Sequence, residues 1–114
     1  MTSDERQFLL TAAWMFMRHG QDPRATAVCE ALVEDDPRDG AAAVALAELL
    51  LGAGDAQRAI DVLHAADVPP PLSHAEAVLE TRALRALGRN TEAAGRWGRY
   101  LESRKGAARQ WTAR

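Results

Sequence analysis

A spacing of 34 residues is the feature of this sequence that most constrains its fold. Residues of three types recur at this interval along the chain: the glycines Gly20, Gly54 and Gly88, the alanines Ala25, Ala59 and Ala93, and the prolines Pro37 and Pro71. Because three residue types share one interval, the chain is predicted to consist of three similar units. A single unit of this size cannot bury its own apolar face, so consecutive units are expected to stack.

Each recurring residue has a physical reason to recur. Glycine adopts the left-handed conformation that commonly ends a helix. Alanine early in the next helix lets two helix axes approach closely, and proline cannot continue a helix. A helix, a glycine turn and a second helix within 34 residues are typical of the tetratricopeptide repeat (TPR). We therefore predict an all-α fold of three TPRs, with six antiparallel helices in a short right-handed solenoid that has a concave groove.

The predicted repeats cover residues 6–39, 40–73 and 74–107 of a single domain, followed by a short basic tail at 108–114. The tail is too short for a full capping helix, so Trp111 is expected to fold back over the last pair unless something else covers it. The third repeat fits least well, because Glu80 and Thr81 replace the Leu46 and Ala47 of the middle copy.

Helix starts are indicated by capping residues and prolines. The spacing of Thr2 and Glu5 predicts a capping box for a helix over 3–19, and Ser73 with Glu76 predicts another. Asp22, followed by Pro23, and Asp55 are predicted N-caps. The prolines at 69–71 predict a stiff extended joint. Inward-facing residues are predicted on the first two helices: Leu9, Ala12, Ala13 and Phe16, then Ala25, Val28, Cys29, Leu32 and Val33.

Composition excludes several classes of protein. Charged residues are 26% of the chain and the net charge is −2, without the concentrated basic face expected of a nucleic-acid-binding protein. A single cysteine, Cys29, cannot form an internal disulfide and fits a reducing compartment. The polar N-terminus does not resemble a secretory signal, and no apolar run is long enough to cross a bilayer. We expect a soluble, cytoplasmic protein.

The sequence offers no constellation for catalysis. His19, His64 and His74 fall in three different repeats without metal-ligand spacing. Cys29 lies on a predicted buried stripe and is expected to be a core residue. Neither a phosphate-binding glycine loop nor a nucleophile elbow is present. We therefore expect neither enzyme activity nor a cofactor or metal.

The first helix carries an excess of apolar residues that points to a partner-binding surface. In a TPR stack the first helix of each pair lines the concave face, so the repeat spacing assigns side chains to it. The predicted groove residues are Gln7, Leu10, Trp14, Met17, Arg18, Val44, Glu48, Leu51, Val78, Arg82 and Arg85. Exposing large apolar side chains forgoes about 1.5–3 kcal/mol each, and contiguous patches of this kind usually bind partners. The alternative is that Trp14 and Met17 fill a tight superhelix interior.

The chain also resembles a known family. The resemblance lies in the opening Gln7-Phe8-Leu9-Leu10, in Trp14, Gly20, Leu32-Val33 and Pro37, and in Tyr100-Leu101-Glu102. These residues resemble the small TPR chaperone of bacterial type III secretion called YscY, PscY or SctY, and the similarity covers essentially the whole chain. The Phe-Leu-Leu…Trp opening and the compact size are its specific parts.

The resemblance implies a cytoplasmic chaperone that forms a heterodimer with a small exported protein of the SctX (YscX) type. It also implies that the pair docks on the cytoplasmic domain of the export-gate protein, the SctV type, which would place it peripherally at the secretion apparatus. Three alternatives remain open: a needle-subunit chaperone of the YscG or PscG type, a translocator chaperone of the SycD type, and a self-associating TPR scaffold that buries its groove in a homodimer.

Overall fold

The computed structural model describes residues 1–112, which form six α-helices and one short 3-10 turn. Their bounds are α1 (Ser3–Arg18), α2 (Asp22–Asp35), α3 (Gly40–Gly52), α4 (Ala56–Ala65), the 3-10 turn (Pro70–Leu72), α5 (Ser73–Ala86) and α6 (Asn90–Thr112). Each helix packs on the next one in the chain, and α3 also contacts α5. The shortest dimension is 24 Å, which is about two helix diameters. The described chain is therefore an all-helical, two-layer fold.

The three glycines that define the 34-residue spacing are the only described residues with positive φ. Gly20, Gly54 and Gly88 have φ values of 70°, 86° and 75°. Each follows an odd-numbered helix and lets the chain reverse into the next one within a few residues. The alanines predicted at the close helix crossings, Ala25 and Ala59, are completely buried. The glycine spacing therefore sets where each helix pair turns.

Two predicted N-cap residues, Thr2 and Asp55, cap their helices, although the Glu5 side chain does not complete the capping box predicted with Thr2. The Thr2 side chain caps α1 by accepting a hydrogen bond of 3.1 Å from the backbone N–H of Glu5. Asp55 caps α4 by accepting from the N–H of Arg58 at 3.2 Å. Such a cap typically contributes about 1 kcal/mol.

Two other predicted caps are wrong. The second helix begins one residue early, with Gln21 at its N-cap and Asp22 inside its first turn. Ser73 does not cap α5, because its hydroxyl donates to the carbonyl of Pro70 at 2.8 Å. The 3-10 turn runs directly into α5 and takes the place of a side-chain cap. The joint at 69–71 is accordingly extended only at Pro69.

The C-terminal segment also differs from its prediction. The last helix continues without interruption to Thr112, so 108–112 is helical rather than a separate short tail. Trp111 is 78% exposed and does not fold back over the last helix pair. No proline or left-handed glycine follows Leu101, so nothing local ends the helix there. Residues 113–114 of the predicted tail lie outside the described residues.

The core is built mainly around α3. Nine of its 13 residues are buried, including Leu46, Ala47 and Leu50. In α1 the most buried residues are Ala13 and Leu10, whereas the predicted Leu9, Ala12 and Phe16 are only partly buried. The inner face of α1 is thus rotated slightly from its prediction, since Leu10 turns toward α3.

One close approach depends on a glycine that the repeat spacing does not mark. Gly40 begins α3 beneath the chain that leaves α4, where Asp39 and Asp67 form an isolated parallel bridge. A Cβ atom on Gly40 would lie 2.7 Å from Cδ of Pro69 and 2.8 Å from Cα of Val68. Any larger residue there would therefore displace the segment that carries the chain into α5.

Candidate functional site: a groove between α1, α3 and α5

A groove of about 570 Å³ lies between α1, α3 and α5. These are the three helices that precede the positive-φ glycines. Seven of the sequence-predicted groove residues line it: Gln7, Leu10, Trp14, Val44, Glu48, Val78 and Arg82. Ala41 and Ala75 lie between them and leave the space open, because an alanine side chain is a single methyl group.

The apolar lining divides into a floor and a wall. Leu10 and Val44 are 7% and 6% exposed, so they form a floor that is already covered by the chain itself. Trp14 is 50% exposed and stands on the wall formed by α1. Val78 is half-buried on the facing wall. The apolar area that a ligand could still cover is therefore supplied mainly by Trp14 and Val78.

A second depression of about 450 Å³ adjoins the groove at the C-terminal end of α1. It shares Trp14, Glu48 and Arg82 with the groove and adds the predicted residues Met17 and Arg18. Because Trp14 stands at the border of both depressions, its indole ring can be reached from either side. Together they form one continuous surface along α1.

Two predicted groove residues lie elsewhere. Arg85 lines a smaller depression of about 240 Å³ that it shares with Val78, Arg82 and Trp97. Leu51 lines none of these three depressions and packs against the core. Leu51 comes one residue before the end of α3, where it packs against the cluster that contains Ala56 and Ile60 of α4.

The charges inside the groove are few and mixed. Glu48 and Arg82 are both exposed, and within residues 1–112 neither side chain has a hydrogen-bond or ion-pair partner. They lie on α3 and α5, so they flank the floor from two sides. A ligand could therefore meet one cation and one anion here without displacing an existing ion pair.

Sequence reasoning missed an ion pair that closes one end of the groove. Arg6 donates to both carboxylate oxygens of Asp39, at 2.6 Å and 2.8 Å. Asp39 also caps α3 by accepting from the N–H of Ala42 at 3.3 Å. The hydrogen bond from Arg6 lowers the pKa of Asp39 against the opposing effect of burial. This pair fixes the start of α1 against the start of α3. The only feature of the sequence that could have indicated the pair is an arginine spaced 33 residues from a capping aspartate.

A polar aromatic cluster on the α5 side was also missed. His74 lines the groove, and its Nδ1 is 3.1 Å from the hydroxyl of Tyr100. The rings of His74, Trp97 and Tyr100 contact one another with centroid separations of 5.3–6.1 Å. These contacts hold the first turn of α5 on α6, since aromatic pairs of this geometry are attractive.

The described residues contain no arrangement typical of metal or thiol chemistry. Within 1–112, no three His, Cys, Asp or Glu side chains are placed to hold a metal ion. Cys29 is completely buried, and burial raises the pKa of its thiol to about 11. A thiol in that state is almost entirely protonated near neutral pH and a poor nucleophile.

None of the helices within residues 1–112 is long and apolar enough to cross a membrane. Comparison of the chain with protein-family models, curated proteins and solved structures gave no match.

Proposed function

We propose that the chain is a protein-binding module of three TPRs whose odd-numbered helices hold an apolar segment of another protein. The TPR assignment is supported by the 34-residue spacing and by the positive φ at the same three glycines. A groove lined by the first helix of each pair is the peptide-binding surface that such repeats typically offer. The bound segment would be helical or extended, because the groove is open along its length.

The observation that carries this proposal is the exposure of Trp14. Its side chain is half exposed at the wall of the groove, beside an apolar floor made by Leu10 and Val44. Tryptophan is among the residues most enriched at binding hot spots, because one ring can bury a large area in a single contact. Burying the exposed half of this ring would contribute about 1.5–3 kcal/mol to binding.

The groove suggests a division of roles among its residues. Trp14 and Val78 face each other across the floor and would clamp an apolar side chain of the bound segment. Glu48 and Arg82 would pair with charges on that segment and fix its register, as rim charges commonly do. Arg6 is already held by Asp39 and would serve to keep the wall formed by α1 in a constant position on α3.

We further propose, on the basis of the sequence resemblance, that the partner is a small exported protein of type III secretion. The chain would keep this client in a heterodimer in the cytoplasm and present it to the cytoplasmic domain of the export-gate protein. An open apolar groove supports this role, because a chaperone must cover apolar client residues without burying them irreversibly. The resemblance, rather than the groove, is what names the client.

The experiment is co-purification of the chain with an SctX-type client, using two tryptophan variants as a matched pair. Trp14→Ala should weaken client binding by about 10- to 100-fold, the equivalent of losing one buried aromatic anchor. Trp111→Ala removes an even more exposed tryptophan that lies outside the groove, and binding should be unchanged. Circular dichroism should show unaltered helix content in both.

Different outcomes separate the groove from the identity of its ligand. Full client retention by Trp14→Ala would overturn the groove as the binding surface. If a needle subunit or a translocator is retained and the SctX-type protein is not, the binding mode stands and the client is different. A second variant, Val78→Glu, places a charge on the opposite wall and should reproduce the effect of Trp14→Ala.

A further inference from the structure

A second apolar surface lies on the opposite side of α1 from α3 and consists of Phe8, Ala12 and Met15, here called the outer face. These residues are spaced i, i+4 and i+7, which places them in one stripe along the helix. Phe8 is 72% exposed and Met15 is 55% exposed. Trp14 lies about 120° around the helix from Phe8, so the outer face is separate from the groove.

The equivalent positions in the next helix pair show what kind of surface this is. Residues 34 positions later are Ala42, Leu46 and Leu49 in α3, which are 0%, 0% and 7% exposed. They are buried because α3 packs on the preceding helix α2. The outer face therefore occupies a helix-packing position for which residues 1–112 supply no covering helix.

The charges at the two ends of α1 indicate what would cover it. Asp4 and Glu5 are exposed at the N-terminal end, and Arg18 and His19 are exposed at the C-terminal end. Within the described residues none of these four side chains has a hydrogen-bond or ion-pair partner. A second α1 lying antiparallel would bring the acidic end of each helix over the basic end of the other.

We propose that the outer face is the interface of a two-fold symmetric homodimer in which the two α1 helices pack antiparallel. Such an interface must be complementary to itself, and this stripe is. Phe8 would lie against Met15 of the second copy, a favourable sulfur–aromatic contact, and Asp4 would lie beside Arg18 of the second copy. The helices would cross at Ala12, whose small side chain allows the axes to approach.

This dimer differs from one that buries the groove. Because the groove lies on another side of α1, each copy would keep it open for a partner, and the inference does not depend on the proposed function. A 16-residue helix is about 24 Å long, so one helix pair buries less than a standard interface of about 1,600 Å². We therefore expect weak association that depends on protein concentration.

The first test is sedimentation equilibrium of the full chain between about 10 µM and 500 µM. The mass should rise from 12.4 kDa toward twice that value. Phe8→Glu should weaken association at least about tenfold, whereas Trp111→Glu, which alters an equally exposed aromatic outside the outer face, should not. A chain that stays monomeric throughout, or Phe8→Glu dimers as strong as the wild type, would overturn the proposal.

The antiparallel arrangement has its own test. Ala12→Cys lies next to the two-fold axis and should form a disulfide-linked dimer under mild oxidation. Ser103→Cys, on the exposed part of α6, should not, and the native Cys29 is too buried to compete. Asp4→Arg and Arg18→Asp should each weaken association, and the double variant should restore it. Crosslinking of both cysteine variants alike, or no restoration, would rule out this geometry.

Discussion

Helices α3 and α5 stand at equivalent positions in consecutive helix pairs, since α3 packs on α2 and α5 packs on α4. Nine of the 13 residues of α3 are buried, against five of 14 in α5. Ala42 and Leu46 of α3 are completely buried, but the residues 34 positions later in α5 are Glu76 and Glu80. One position in the fold is thus filled by hydrocarbon in one pair and by carboxylates in the next.

Arg96 makes the charged version possible. Its guanidinium donates to Glu80 at 2.8 Å and to Glu76 at 3.3 Å, and all three side chains are at most 25% exposed. Burial would raise the pKa of Glu80, but hydrogen bonds with His64 and Arg96 outweigh it and the pKa is lowered. For Glu76 burial prevails over the charge of Arg96, and the pKa is raised. Arg96 and His64 together offset the burial of the Glu80 carboxylate, whereas Arg96 does not offset the burial of the Glu76 carboxylate.

Helix stacking in this chain does not require an apolar contact at every equivalent position. It requires that whatever is buried be packed or paired. Buried charged groups make a helix contact specific for one partner but lose hydration energy. Buried apolar groups stabilise the contact without selecting one partner. The apolar contacts of α3 and the charged contacts of α5 should therefore respond differently to substitution.

The apolar contacts of α3 should be more sensitive to side-chain truncation than the charged contacts of α5. Leu46→Ala removes a completely buried side chain at the centre of α3 and should lower the free energy of unfolding by about 3 kcal/mol. Urea denaturation followed by circular dichroism measures this directly. Leu101→Ala, at a site 40% exposed on α6, is the matched control and should cost much less. Equal losses would mean that α3 does not hold the main core.

The charged cluster of Glu76, Glu80 and Arg96 should destabilise the chain when one member is removed. Stability should return when all three members are replaced by apolar residues. Arg96→Val leaves Glu76 without a partner and Glu80 with His64 alone, and it should destabilise the chain by about 2 kcal/mol, less than for a fully buried pair. A triple variant can carry the residues that stand 34 positions earlier, in the preceding helix pair, which are Ala42, Leu46 and Val62. Its substitutions are Glu76→Ala, Glu80→Leu and Arg96→Val. This triple variant should be as stable as the wild type or more so. A triple variant weaker than Arg96→Val would show that the ion cluster stabilises the fold.

The start of α3 should respond to acid. The pKa of Asp39 is lowered in the folded chain, mainly by the hydrogen bond from Arg6, so its contribution to stability is present at neutral pH. That contribution is lost as the pH falls from about 4 through the lowered pKa, because in this range the unfolded chain binds a proton more readily than the folded chain. Asp39→Asn should therefore lower stability by about 1–2 kcal/mol at pH 7 and by clearly less at pH 3. Parallel losses at both pH values would contradict this linkage.

The smallest expected effect concerns a hydroxyl in α5. Thr81 is 5% exposed and its Oγ1 has no hydrogen-bond partner among residues 1–112, whereas the equivalent residue of α3 is Ala47. Thr81→Val keeps the shape and removes the unpaired hydroxyl, so it should raise the free energy of unfolding by about 1 kcal/mol. Thr91→Val, at an exposed site in α6, should not stabilise the chain. A destabilised Thr81→Val would indicate that the hydroxyl is hydrated.

How much could be predicted differs along the chain. Seven predicted groove residues line one concavity because a fixed spacing places equivalent residues on equivalent sides of α1, α3 and α5. Leu51 escaped this rule because it packs against the cluster that contains Ala56 and Ile60 of α4. Ser73 was misplaced because a local capping pattern cannot show that a 3-10 turn leads directly into the helix, and Asp22 was misplaced because helix ends are uncertain by a residue. The roles of Asp39 and Arg96 depend on residues 33 and 16–20 positions away, which no local pattern reveals.

The positions of the turns follow from the sequence, because a left-handed glycine and the helical period act within a few residues. The all-helical character of the described chain and the apolar sides of its helices follow from the sequence in the same way. How exposed those sides are depends on tertiary packing. Trp14 and Val44 are both apolar residues on predicted groove positions, yet one stands half in water and the other is buried. Burial depends on which other helix lies above a residue, and that is settled when distant helices meet.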